Sequence, residues 1–285
     1  MLPIHAVLEP LKAALAASNA AVLAAPPGAG KTTVVPLALL DAPWLEGRRV
    51  LVLEPRRLAA RAAAERMAKT LGEAAGETVG YRTRLQSRIG PGTRIEVITE
   101  GVFTRMILDD PELAGVGAVL FDEFHERSLD ADLGLALARE TQGALRPDLR
   151  LLVMSATLDI AGVARLLAND AKEPAPVIEA EGRMFPVETI YLGRNPVERI
   201  EEAMARAVTR ALGDQTGSVL AFLPGQGEIH RTAQRLAGRV PAGVEVTPLY
   251  GGLDKAAQDR AVEPVPAGRR KIVLATSVAE TSLTI

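Results

Sequence analysis

A glycine-rich loop at residues 25–33 has the residue types and spacing needed to hold a chain of phosphates. It reads Ala25-Pro26-Pro27-Gly28-Ala29-Gly30-Lys31-Thr32-Thr33 and follows an apolar, strand-like run. Its glycines let backbone N–H groups turn towards phosphate oxygens, and a helix beginning near Lys31 would point its positive end at the same place. We expect Lys31 to reach the β- and γ-phosphates and Thr32 to bind Mg²⁺. Ala25 replaces the usual first glycine, so an ordinary glycine-proline turn is the alternative interpretation.

A pair of carboxylates, Asp122 and Glu123, stands at the end of a second apolar run. Ligands of open parallel sheets bind outside the carboxyl ends of the strands. We expect Asp122 to hold Mg²⁺, directly or through water, and Glu123 to polarise the attacking water. His125 would lie near the γ-phosphate and couple it to another domain. The alternative is an acidic helix start, since carboxylates are favourable at the positive end of a helix.

The elements that would position these residues are strands and helices in alternation. Apolar, β-branched runs occur at residues 20–25, 49–54, 94–99, 117–122 and 149–155. Each is followed by a helical stretch or by a turn leading into one, and residues 78–94 suggest an extra edge element. Continuous apolar strands that alternate with helices are typical of a parallel sheet covered on both faces. The sequence therefore predicts the α/β class.

The same pattern restarts in the second part of the chain, after the proline-containing stretches 172–176 and 182–186. Strands are predicted at residues 187–192, 218–222, 244–248 and 271–275, with helices at 197–212 and 226–238. We place a domain boundary near residue 185, which predicts one domain over residues 1–185 and a second over 186–285.

Composition excludes several classes of protein. The 285 residues include no cysteine, which rules out a disulfide framework and cysteine-ligated zinc and fits a reducing cytoplasm. With only three histidines, we expect no metal other than Mg²⁺. The first 15 residues carry charged side chains and so do not resemble a leader, and no apolar run is long enough to span a membrane. A net charge of −2 argues mildly against a general nucleic-acid binder but allows a local basic groove.

Residues 122–127 read Asp-Glu-Phe-His-Glu-Arg and resemble the D-E-x-H-E-R motif of DEAH-type superfamily 2 helicases. Residues 54–60, Glu-Pro-Arg-Arg-Leu-Ala-Ala, resemble the bacterial members. Other segments resemble further motifs of the family in the same order: Thr99-Glu100-Gly101, Ser155-Ala156-Thr157, Gly182-Arg183-Met184-Phe185-Pro186-Val187, Phe222-Leu223-Pro224-Gly225, Leu249-Tyr250-Gly251-Gly252 and residues 275–285. The resemblance covers essentially the whole chain. It implies two tandem RecA-like domains, the second incomplete, that use ATP to move on or unwind RNA or DNA.

The resemblance also implies roles for individual residues. Single-stranded RNA or DNA would be held through its backbone by Arg56, Arg57, Thr99, Gly101 and Thr276. Ser155 and Thr157 would link the nucleotide state to the grip on the strand. Arg66 would stack on the nucleotide base. Arg56 and Arg57 could instead be a solvated helix start, and Ser155 to Thr157 a plain helix cap.

Two departures from the family affect what we expect. Members of the family stack the nucleotide base between an arginine and a phenylalanine of the second domain, and Val262 occupies the phenylalanine position here. We therefore expect the protein to accept ATP and other nucleoside triphosphates. The family's arginine-rich motif VI lies beyond Ile285, so the chain by itself should bind nucleotide and turn it over poorly. Apolar faces at residues 219–222 and 272–275 should be partly exposed.

Three functions stay open at this point. The first is a helicase motor, the second a fragment that binds nucleotide and RNA but turns over little, and the third an ATPase acting on a protein or a DNA structure. Segments resembling nucleic-acid motifs favour the first over the third, and stimulation of hydrolysis by nucleic acid would separate the first from the second.

Overall fold

A computed structural model describes residues 2–156, 160–168, 173–182, 186–193, 195–266 and 268–279 of the protein. The chain divides into two compact units, Met1–Phe185 and Pro186–Ile285. Each unit has its own sheet, and the two are described separately below.

The first unit is built on a sheet of eight strands in the order β4-β3-β5-β2-β6-β7-β1-β8. All neighbouring strands are parallel except the edge pair β3 and β4, which is antiparallel. The strands are β1 (Ala20–Ala24), β2 (Arg49–Glu54), β3 (Val79–Arg82), β4 (Ser87–Arg88), β5 (Ile95–Thr99), β6 (Val116–Phe121), β7 (Arg150–Ser155) and β8 (Val177–Glu179).

Helices cover both faces of this sheet. They are α1 (Leu8–Ala17), α2 (Lys31–Leu39), α3 (Arg57–Thr70), α4 (Glu100–Asp109), α5 (Leu129–Ala144) and α6 (Ile160–Leu166). Successive residues of a strand point to opposite faces, so Val52 packs in the cluster with α1, α2 and α3, whereas Leu53 packs in the cluster with α4, α5 and α6. Burial on both faces explains why these strands are apolar throughout.

The second unit contains a parallel three-stranded sheet in the order β10-β11-β9. Its elements are α7 (Ile200–Asp214), β9 (Val219–Phe222), α8 (Gln226–Leu236), β10 (Val244–Leu249), α9 (Lys255–Val262) and β11 (Arg270–Ala275). Its core joins Val208 of α7 and Ile229 of α8 to Ile272 and Leu274 of the central strand.

The structure confirms the predicted α/β class and most of the predicted strands. Those predicted at residues 20–25, 49–54, 94–99, 117–122 and 149–155 correspond to β1, β2, β5, β6 and β7, and the extra edge element to β3 and β4. Three strands predicted in the second part are β9, β10 and β11, and the two helices predicted there are α7 and α8.

Two expectations for the second part of the chain were wrong. Residues 187–192 form no strand, and Val187 and Tyr191 are exposed. A strand needs a neighbour for its backbone hydrogen bonds, and neither sheet supplies one within the described residues. Residues 272–275 are fully buried because β11 is the central strand. Exposure is confirmed only at the edge strand β9, where Leu220 is 39% and Phe222 45% exposed.

Candidate active site

The phosphate loop connects the end of β1 to the start of α2. Gly28 and Gly30 have φ angles of 74° and 98°, in the left-handed region that favours glycine. At Gly30 a Cβ atom would lie 2.9 Å from the side chain of Leu2, so no larger residue fits without a shift. The carbonyl of Ala29 accepts a hydrogen bond from Ile4 N at 3.2 Å. The loop therefore has a defined shape, supported by the N-terminal segment.

Lys31, the first residue of α2, is almost completely buried inside the loop. Its Nζ donates to the carbonyl oxygens of Ala25 at 2.9 Å and Pro26 at 3.4 Å. The ammonium group therefore lies at the N-terminus of α2, where the helix dipole also favours the binding of anions.

Thr32 and Asp122 meet across the carboxyl edge of the sheet. The Thr32 hydroxyl donates a hydrogen bond to Asp122 Oδ2, and Asp122 Oδ1 accepts one from Glu123 N at 2.8 Å. Burial raises the pKa of Asp122, whereas the hydrogen bond from Thr32 and the charge of Lys31 lower it. The structure thus brings together the two residues that the sequence predicted as Mg²⁺ ligands.

The donor set fits Mg²⁺ bound together with a nucleotide. Mg²⁺ prefers oxygen ligands and is commonly held by one or two protein oxygens plus phosphates and water. Thr32 and Asp122 offer a hydroxyl and a carboxylate. Within the described part of the chain, no group of three or more His, Asp or Glu residues could hold a metal ion by itself.

Glu123 and His125 lie directly after Asp122. Burial, followed by the negative charge of Asp122, raises the pKa of Glu123 to about 7. His125 Nδ1 is 3.4 Å from Glu123 Oε2 and 3.4 Å from Ala156 N. Burial and then the charge of Lys31 lower the pKa of His125, which favours the neutral imidazole. His125 therefore connects the acidic segment to the residue that follows β7.

Ser155 ends β7 and touches the phosphate loop through its backbone. Its carbonyl accepts a hydrogen bond from Ala25 N at 3.0 Å. The predicted coupling residue Ser155 is therefore within one hydrogen bond of the loop that would hold phosphate. Its predicted partner Thr157 lies outside the described residues, as do residues 183–185 and 280–285 of the other motif-like segments.

The predicted nucleic-acid residues of the first unit stand at the ends of two adjacent strands. Arg56 and Arg57 follow β2, and Arg56 is the N-cap residue of α3. Thr99 ends β5 and is the N-cap residue of α4, whose second residue is Gly101. Glu54 is the parallel-register partner of Thr99. The four residues therefore lie along the sheet edge that also carries Asp122.

The remaining predicted residues stand elsewhere. Arg66 is exposed on α3, two turns beyond Arg57. Thr276 belongs to the second unit, where it follows β11 and donates from its backbone N to the Leu249 carbonyl at 3.1 Å. Arg270, the first residue of β11 in the same unit, was not among the predicted site residues. It donates to the carbonyls of Gly217 and Leu212 and so supports the fold of the second unit.

Sequence reasoning assigned no role to Glu54, the last residue of β2. Both carboxylate oxygens are buried and have no hydrogen-bond partner among the described residues. Burial raises its pKa well above the ordinary value, and the charges of Asp122 and Glu123 add to the effect. The signal in the sequence was a carboxylate placed directly at the end of an apolar strand, immediately before the Pro55-Arg56-Arg57 segment.

Two further contacts were also missed. The Arg56 guanidinium lies 3.5 Å from Glu126 Oε2. The Ser128 hydroxyl donates to Glu100 Oε2 and accepts from Ala131 N at 2.9 Å, so Ser128 is the N-cap of α5. These contacts join the segment after Asp122 and Glu123 to the two predicted nucleic-acid segments.

A helix that spans a bilayer needs about 20 predominantly apolar residues. In the described ranges, no helix combines the length and the apolar character that crossing a bilayer requires.

Comparison with known proteins identifies two matching family descriptions. Residues 8–166 match "DEAD/DEAH box helicase" and residues 200–285 match "Helicase conserved C-terminal domain". The chain is also 52% identical, over 100% of its length, to the curated Escherichia coli K12 protein named "ATP-dependent RNA helicase HrpB".

Two solved structures show the same similarity. The crystal structure of the Escherichia coli DEAH/RHA helicase HrpB matches with a TM-score of 0.91, and that of the E. coli DExH-box NTPase HrpB with 0.81. Both are 52% identical over 100% of this chain, which covers 36% and 34% of theirs. The chain likewise spans 34% of the length of the curated relative. The predicted resemblance and the RecA-like character of the fold are thereby confirmed.

Proposed function

The chain belongs to the DEAD/DEAH box helicase family, and on that premise we propose that it forms the motor part of a nucleoside-triphosphate-driven RNA helicase. The observation that carries the proposal is the meeting of Thr32 and Asp122 beside the buried Lys31. The name of the 52% identical relative, an ATP-dependent RNA helicase, supports RNA as the substrate.

The chemistry of hydrolysis follows from the residues at the sheet edge. Residues 27–33 bind the phosphates, and Lys31 neutralises charge on the transferred group. Thr32 and Asp122 would hold Mg²⁺, and the bound ion would supply positive charge against the charge that develops on the phosphates. Glu123 orients the attacking water and takes its proton. His125 and Ser155 couple the nucleotide bound at this site to neighbouring segments of the chain.

Nucleic acid binds through its backbone in this proposal. Arg56, Arg57, Thr99 and Gly101 contact phosphates and sugars from the first domain, and Thr276 does so from the second. Such contacts carry little sequence information, so sequence preference is weak.

The division of the chain at residues 185 and 186 supports a first domain over 1–185 that binds ATP and a second over 186–285. The absence of cysteine supports a cytoplasmic location.

Lys31→Ala in the full-length protein tests the proposal. Loss of this charge should lower RNA-stimulated hydrolysis by about 10²- to 10³-fold while circular dichroism stays unchanged. Lys69→Ala, at an exposed position on α3, is the matched control. Strand displacement from an RNA duplex with a single-stranded overhang, and from the equivalent DNA, decides between the two nucleic acids. Hydrolysis that neither single-stranded RNA nor single-stranded DNA stimulates would contradict the helicase assignment.

A further inference from the structure

The three residues after the catalytic carboxylates form a short turn with unusual backbone geometry. Phe124–Glu126 is a single 3₁₀ turn, flanked by Glu123 with φ of 47° and Arg127 with φ of 48°. Left-handed φ angles are unfavourable for residues other than glycine, so surrounding contacts must hold them. The conformation of the turn therefore depends on those contacts.

Contacts on two sides tie this turn to the predicted nucleic-acid segments. Glu126 Oε2 is 3.5 Å from the guanidinium of Arg56, and the other oxygen of Glu126 is buried without a hydrogen-bond partner in the described part of the chain. On the far side, Ser128 bonds to Glu100, the neighbour of Thr99 and Gly101. A third contact joins His125 to Ala156 N.

We propose that Arg56 exchanges Glu126 for a nucleic-acid phosphate, and that this exchange releases the Phe124–Glu126 turn and so reports bound nucleic acid to the hydrolytic site. The inference rests on the proposed function, because it assumes that nucleic acid binds at Arg56. It adds Glu126 to the site as a positioning residue, which acts through Arg56 and the turn without touching the substrate.

The geometry favours the exchange. The contact between Arg56 and Glu126 is long, with 3.5 Å between Arg56 Nη2 and Glu126 Oε2. A phosphate can accept two shorter, charge-assisted hydrogen bonds from one guanidinium, which is the stronger arrangement. Both side chains are partly accessible, at 24% and 19%, so a phosphate can reach Arg56 without unfolding the site.

Glu126→Gln in the full-length protein tests the proposal, with Glu140→Gln at an exposed position of α5 as the matched control. The probe is a fluorescent single-stranded oligouridylate, and its dissociation constant is measured by anisotropy without nucleotide. Removing the competing carboxylate should tighten binding about two- to fivefold, the usual strength of a partly exposed ion pair. The stimulation of ATP hydrolysis by the same RNA should fall by about fivefold or more. Hydrolysis without RNA should rise towards the RNA-stimulated rate, because the contact that holds the turn is already lost.

A second variant separates exchange from a purely structural role. In an Arg56→Gln background, Glu126→Gln should change neither RNA affinity nor stimulation, because the residue it competes with is gone. If the wild-type protein binds no RNA, the proposed function fails and the exchange falls with it. If the wild type behaves as proposed but Glu126→Gln matches Glu140→Gln, the exchange alone is wrong. Equal effects of Glu126→Gln in both backgrounds would also overturn it.

Discussion

The hydroxyl of Thr32 donates a hydrogen bond to Asp122 Oδ2, and this contact ties the first turn of α2 to the end of β6. The two residues are far apart in the sequence and come from different motifs. Their meeting places a hydroxyl and a carboxylate side by side, next to the ammonium of Lys31. Both partners of the contact can be tested separately.

We expect Thr32→Ala to weaken Mg²⁺-dependent hydrolysis by about 10- to 100-fold, the usual effect of losing a group that supports a metal site. The Mg²⁺ concentration needed for half-maximal rate should rise. Thr32→Ser keeps the hydroxyl and serves as the control, with a near-normal Mg²⁺ dependence. A Thr32→Ala protein with an unchanged Mg²⁺ titration would show that Thr32 is not a ligand. Chelation by EDTA should abolish hydrolysis in all three proteins.

The pKa of Glu123 predicts how the rate depends on pH. Burial and the charge of Asp122 raise this pKa to about 7. A general base works in its unprotonated form, so kcat/KM should increase as pH rises through about 7 and level off above it. The pH profile of kcat/KM reports the free enzyme and is the measurement to make. Glu123→Gln should lower the rate strongly and remove this rise, and a flat wild-type profile between pH 6 and pH 8 would contradict the assignment.

Glu54 should make the protein less stable as pH rises, whereas most carboxylates in folded proteins do the opposite. Its raised pKa means that the folded state binds its proton more tightly than the unfolded state. The free energy of unfolding therefore falls as pH rises above the ordinary glutamate pKa. Glu54→Gln should stabilise the protein by about 1–3 kcal/mol at neutral pH, because a neutral amide replaces a buried carboxyl group that must take up a proton on folding.

The measurement for Glu54 is urea denaturation of wild type, Glu54→Gln and the exposed control Glu140→Gln at pH 5 and pH 8. The gain from Glu54→Gln should be larger at pH 8. A loss of stability at both pH values would mean that the Glu54 carboxylate has a favourable partner in solution.

Nucleotide selectivity should be weak. The phosphate contacts from residues 27–33 are shared by all nucleoside triphosphates, and Val262 offers no aromatic ring for base stacking. We expect kcat/KM for ATP, GTP, CTP and UTP to lie within about one order of magnitude of one another. Steady-state hydrolysis of each nucleotide at saturating RNA provides the comparison. Strict use of ATP would reveal an adenine pocket that these residues do not suggest.

Much of the first unit could be predicted from the sequence because its strands are buried on both faces. Such strands are continuous apolar runs, as in β2 and β6, and the phosphate loop follows β1 with its glycines in place. β8 could not be predicted in this way. It has three residues, and only its pairing with β1 makes it a strand. The first helix, α1, was missed because charged residues interrupt its apolar positions, although Leu11 and Leu15 are fully buried.

The errors in the second unit have a different cause. Residues 187–192 have strand-like composition, but composition cannot show whether a neighbouring strand exists. Burial of β11 depends on its central place between β10 and β9, and sheet order is not contained in any local pattern. The same limit applies to the candidate site. Motifs predicted Asp122 and Arg56, whereas the contacts of Glu126 and Ser128 depend on residues far away in the sequence.

The position of Lys31 has a consequence for the chemical reactivity of the protein. Its Nζ lies inside the phosphate loop with 3% of the residue exposed, whereas Lys69 on α3 is exposed. An amine-acylating reagent should therefore modify Lys69 quickly and leave Lys31 nearly untouched while the loop stays closed around it. The acylation rate at Lys31, followed by mass spectrometry, would then measure how often the loop opens. This lysine would replace the cysteine label that is usually used, because the sequence contains no cysteine.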